Sequence, residues 1–132
     1  MAIMSVCSDD LLLLAEELVK FPEEVNSRAC IGRSYYALYH QALIAADALC
    51  LPIDNSVKTA HEILIRRFMN GTKGLASIGK TIRKQKQMRA MADYEVLADL
   101  NNSDARLHLA VSRRLVENLR RITAAGEAQR KT

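Results

Sequence analysis

Residues 23–50 read EEVNSRACIGRSYYALYHQALIAADALC, and this stretch decides the fold. It holds no Pro and one Gly, Gly32. On ordinary helical geometry it makes a rod of about 40 Å. Stepping about 100° per residue from Arg33, Ala29, Tyr36, Ala37 and Ile44 fall near it. Ile31, Leu38, Ala42 and Leu49 fall on the far side. A helix apolar on both sides is the central helix of its bundle, or is covered by a second chain. One polar stripe interrupts this surface. Asn26, Arg33, His40 and Asp47 are spaced seven residues apart, so they lie nearly in line.

Working outward, four further helical segments flank this one. The first runs from Ser8 to Phe21, with Ser8 as the expected cap and Asp9 and Asp10 at the positive end of the helix dipole. Leu11, Leu14, Ala15, Leu18 and Val19 recur at helical spacing. Leu51-Pro52-Ile53-Asp54-Asn55 ends the central helix, and a third segment is expected from Ser56 to Asn70-Gly71. The fourth spans Thr72 to Asp93. Gly74 and Gly79 weaken its start and allow a loop there. The fifth begins after Asn101-Asn102-Ser103, with Leu107, Val111, Leu115, Leu119 and Ile122 as its buried stripe. Gly126 is expected to close it, leaving 127–132 as a frayed tail. Four to five helices with short links predict an all-α, antiparallel helical bundle.

Composition agrees. The 132 residues fit one domain, 1–132, and leave no room for two cores. Apolar residues at 49% and charged residues at 26% form a globular mixture. Five Gly and two Pro are too few for an all-β sandwich or barrel. The longest aliphatic block, Leu11 to Leu14, is too short to cross a bilayer, so no membrane association is expected. No cationic stretch precedes an apolar run at the start of the sequence, so no secretory signal is expected. Three cysteines, Cys7, Cys30 and Cys50, have no paired spacing and read as reduced thiols in a cytoplasmic protein.

The net charge of +4 is unevenly spread. Residues 1–24 hold six acids and one Lys. Residues 71–92 hold Lys73, Lys80, Arg83, Lys84, Lys86 and Arg89 and no acid. Such a run is a solvated helix face or a surface that tracks phosphates, whose binding weakens with salt. Arg89 and Asp93, four apart, are placed to pair on one helix face. Tyr35, Tyr36 and Tyr39 crowd the middle of the polar stripe. They fit a core with satisfied hydroxyls or a wall that stacks on bases, and the residues alone leave both open. His40, His61 and His108 lie on three segments with no His-x-x-His pair, so no metal site and no cofactor are expected. His108, beside the buried stripe of the fifth segment, reads as structural.

The run Arg33-Ser34-Tyr35-Tyr36-Ala37-Leu38-Tyr39-His40 resembles the second-helix motif of the HEPN superfamily, in particular its short single-domain bacterial and archaeal branch. Two further pieces are similar. One is Lys58-Thr59-Ala60-His61, and the other is Arg89-Ala90-Met91-Ala92-Asp93-Tyr94. The likeness spans residues 11–122. It implies a four- or five-helix bundle that dimerises, with an Arg-x(4–6)-His motif from each chain facing a shared cleft that cuts RNA without a metal. On that likeness Arg33 and His40 are the catalytic pair. Ser34, Tyr36, Tyr39 and His61 are the supporting candidates, and the charge run makes Lys80, Arg83, Lys84, Lys86 and Arg89 the candidates for nucleic-acid binding. Many such members are toxins or antiviral effectors. The implied alternative is a catalytically silent HEPN-like module that pairs with a nucleotidyltransferase-type antitoxin, another partner protein or a nucleic acid. Two positions depart from the pattern. Ser34 follows the Arg where catalytic members often carry Asn, Asp or His. Ala42 stands where one toxin–antitoxin branch has a modified Tyr.

Overall fold

In the computed structural model, which describes residues 6–131, five helices and no strand are formed among the described residues. They are α1 (Ser8–Leu18), α2 (Glu24–Ala48), α3 (Ala60–Met69), α4 (Lys73–Tyr94) and α5 (Asn102–Lys131). The chain is thus an all-α helical bundle. No described helix is long and apolar enough to cross a membrane. The opening residues read above for a signal, and Thr132, lie outside the described residues.

All four other helices pack against α2. Its small residues let them approach closely: Ala37, Ala42, Ala45 and Ala46 are fully buried, alongside Ile31, Tyr35 and Leu38. α1 runs antiparallel to α2, because Ser8 meets Gln41 near the far end of that helix. α5 runs with α2, since Cys30, Ser34 and Gln41 meet Ala105, His108 and Arg120 in ascending order. α3 and α4 form an antiparallel pair over the remaining flank.

The helix ends correct several expectations from the sequence. The cap of α1 is Cys7, whose N–H donates to the Asp10 carboxylate at 3.0 Å. That bond holds the Asp10 carboxyl below its ordinary value. Ser8 is buried instead, and its hydroxyl donates to Gln41 Oε1 at 2.9 Å. α3 starts at Ala60 rather than Ser56, because Thr59 accepts from the Glu62 N–H while Ser56 bonds Asp54. α2 closes through Cys50, which takes the left-handed conformation at φ 54°. The Leu51 N–H then reaches back to the Ala46 carbonyl at 3.0 Å.

None of the three glycines expected to break helices does so: Gly74 lies in open space within the first turn of α4, and Gly79 and Gly126 are packing positions. α4 is continuous through Gly79, where it crosses α3. A Cβ there would stand 3.0 Å from Met69 N and 3.1 Å from the Ile65 carbonyl oxygen. α5 is likewise continuous through Gly126, which touches Leu49, so residues 127–131 extend the helix. Gly79→Ala is expected to destabilise the bundle by about 1–2 kcal/mol, the backbone clash exceeding the gain in helix propensity. A urea midpoint equal to or above that of the wild type would show that the crossing yields.

Candidate functional site

Three sides of α2 are covered. α1 lies along the flank of Gln41, α5 along that of Ser34 and Leu38, and α3 and α4 along that of Tyr35 and Tyr39. The fourth side is open, and along it stand Arg33, His40 and Ile44, all exposed. Arg33 and His40 are separated by about 10 Å along the axis at their Cα atoms. Among the described residues neither forms an ion pair or hydrogen bond with the protein. The outer members of the stripe are occupied. Asp47 pairs with Arg67 at 2.8 Å, and Asn26 donates to Glu23 at 3.1 Å.

One wall of this seam is an aromatic and cationic cluster. The Tyr35 hydroxyl lies 2.7 Å from His61 Nδ1, and the Tyr39 and His61 rings are 4.6 Å apart. The His40 ring is 5.7 Å from that of Tyr39, which joins the seam to the cluster. The Arg89 guanidinium sits 5.3 Å from the Tyr35 centroid and 5.5 Å from that of Tyr36. It also pairs with Asp93 at 3.1 Å. The three tyrosines therefore differ in burial. Tyr35 is a core residue with a satisfied hydroxyl, whereas Tyr36 and Tyr39 are half-buried at the rim.

Burial pushes the Tyr35 phenol well above its ordinary value, so the hydroxyl that meets His61 keeps its proton. Burial, then the charges of Arg89 and Lys86, lower the His61 pKa. His61 is thus neutral at pH 7 and shares one hydrogen bond with the Tyr35 hydroxyl. Arg89 Nε is buried and finds no acceptor.

Ser34 lies elsewhere. About 100° round the helix from Arg33, it is fully buried and faces His108, with Oγ 2.7 Å from Nδ1. His108 Nε2 donates to the Gln85 carbonyl at 3.1 Å. That fixes Nδ1 as the acceptor of the Ser34 proton. Gln85 Nε2 in turn donates to the His108 carbonyl and to Ser112 Oγ, both at 2.9 Å. His108 is therefore a structural residue tying α2, α4 and α5 together, and Ser34 is one of its partners rather than a neighbour of the Arg33–His40 seam.

The five α4 cations expected on one surface are dispersed around the helix. Lys80 and Lys84 are exposed, and Lys86 is half-buried. Arg83 pairs with Glu62 of α3, and Arg89 is buried over the tyrosines. A charge run in sequence winds about 100° per residue, so its members separate. His61 and Arg89 join the site through tertiary packing; the signals for them in the sequence were the short motifs around each. Among the described residues no three His, Cys, Asp or Glu side chains lie together in a way that would hold a metal ion.

What the fold and the seam define is a five-helix all-α bundle presenting an Arg and a His along its innermost helix, beside a Tyr/His/Arg wall. No family model, no curated protein and no solved structure matches the chain.

Proposed function

We propose that this protein is a metal-independent endoribonuclease of HEPN type that acts as a homodimer in the cytoplasm, as a toxin or antiviral effector. The observation that carries the reading is the open seam, on which Arg33 and His40 stand exposed and without an ion pair or hydrogen bond, two turns apart on the central helix. In this mechanism one His40 takes the 2′-OH proton as that oxygen attacks the phosphorus. The partner's His40 protonates the leaving 5′-oxygen, giving a 2′,3′-cyclic phosphate and a free 5′-hydroxyl. A single imidazole cannot do both in one step, which is why a second copy is needed. Arg33 supplies a planar fork of donors to the phosphorane oxygens. Tyr36 and Tyr39 flank the seam as stacking surfaces for the bases.

One observation favours a second reading, a silent HEPN-like module that binds a nucleotidyltransferase-type partner or a nucleic acid. Ser34 is spent on His108, leaving the position after Arg33 without a polar group at the seam. Incubating the purified protein with total cellular RNA in EDTA decides between them. Cleavage leaving cyclic-phosphate ends is expected. Intact RNA beside a sedimenting dimer would favour the silent module.

A further inference from the structure

The α4–α5 connection and a groove on the opposite half of the same helix pair are complementary, and their match does not depend on the nuclease reading. In the connection Val96 is 83% exposed and Leu97 101%. Glu95 and Asp99 flank this apolar tip, and residues 93–101 contain no Lys or Arg. The tip is held in place. The Arg28 guanidinium of α2 donates to the carbonyls of Met91 at 3.2 Å and Ala92 at 3.0 Å, and also to those of Val96 and Ala98. The Ala98 N–H closes a turn onto the Glu95 carbonyl at 3.1 Å. A side chain that ties down four carbonyls yet leaves Val96 and Leu97 in water presents them pre-ordered for a partner.

The groove lies between α4 and α5. Thr81, Val111, Arg114, Leu115, Asn118 and Arg121 line a space of about 510 Å³. Leu115 and Val111 give it an apolar floor, while Arg114 and Arg121 stand exposed. Among the described residues neither arginine pairs with a carboxylate. They are about 10 Å apart along α5, a span that a turn with acids at its first and fifth positions can bridge. Thr81 and Tyr94 are separated by about 20 Å of α4, so the tip cannot fold back into the groove of its own chain.

We propose that the Val96–Leu97 tip of one copy seats on the Val111–Leu115 floor of another, with Glu95 and Asp99 against Arg114 and Arg121. Tip and groove are different surfaces, so the contact is heterologous and builds rings or open chains of subunits. An RNA backbone would satisfy the two arginines but would leave the apolar floor and the apolar tip uncovered. The second copy covers all four features.

The test uses Leu97→Asp and the double variant Arg114→Glu, Arg121→Glu. All three positions are exposed, and circular dichroism checks the helix content. In sedimentation velocity at low salt, the wild type is expected to form species heavier than either variant forms, with association at least tenfold weaker in each variant. Added salt should shift the wild type toward the lighter species. An equimolar mixture of the two variants keeps one good groove and one good tip. It is expected to yield a species heavier than either variant alone. Identical sedimentation of wild type and Leu97→Asp, or a mixture no heavier than its components, overturns the proposal. Loss of RNA binding in the double variant with unchanged sedimentation would assign the groove to nucleic acid instead.

Discussion

His40→Ala is expected to lower the rate of RNA cleavage by about 10²–10⁴-fold, the usual contribution of a positioned proton carrier. Arg33→Ala is expected to cost about 10²–10³-fold, the scale of removing one charged donor from a developing oxyanion. Arg33→Lys should recover little, because an ammonium does not reproduce the planar fork. Both side chains are exposed and make no bond within the chain, so neither change should alter the helix content or the unfolding midpoint. His61→Gln is the informative companion. His61 is neutral and occupied by Tyr35, so its loss should affect cleavage less than the loss of His40. Wild-type cutting by His40→Ala would remove the mechanism. An equal loss in His61→Gln would move the second proton carrier from the partner chain to α3.

Acid is expected to loosen the bundle well above the range in which carboxylates titrate. Burial pushes His108 from an ordinary 6.5 down to about 4. The folded protein therefore holds this imidazole neutral while the unfolded chain takes up a proton below pH 6.5. Its contribution is fully present above pH 6.5 and is lost as the pH falls toward 4. The size is about 3 kcal/mol, a large share of the 5–15 kcal/mol typical of a domain, roughly stated. The lowered pKa of His61 acts in the same direction. The carboxylates of Asp10, Asp54 and Glu62, whose pKa values are also lowered, add their losses only at more acidic pH. Urea unfolding at pH 7 and pH 4.5 measures the drop. His108→Gln keeps a donor for the Gln85 carbonyl and an acceptor for Ser34 without a titrating ring, and it should flatten the dependence over that window. An unchanged slope in that variant would show that His108 is not its source.

The all-α class and the central place of α2 were legible in the sequence, because helical periodicity is local and an apolar surface on both sides of one helix must be covered. The Arg33–His40 stripe was legible for the same reason: seven-residue spacing is two turns whatever the surroundings. The pairing of Arg89 with Asp93 followed from four-residue spacing. Helix ends were read less well. A serine caps only if its hydroxyl is not claimed elsewhere, and Gln41 claims Ser8. A glycine can sit inside a helix where a neighbour occupies the space of its missing side chain. Met69 and Ile65 press on Gly79, and Leu49 presses on Gly126.

The sequence by itself therefore determined which residues share a helix face, since that depends only on the pitch of the chain. Tertiary structure alone decided which face meets water. It turned Ser34 inward to His108, brought His61 of α3 onto Tyr35 and Tyr39, and buried Arg89 over the tyrosines while Lys80 and Lys84 stayed in solvent. The physical reason is that burial and hydrogen bonding among these groups join residues 26 to 74 positions apart, and no local pattern encodes that choice.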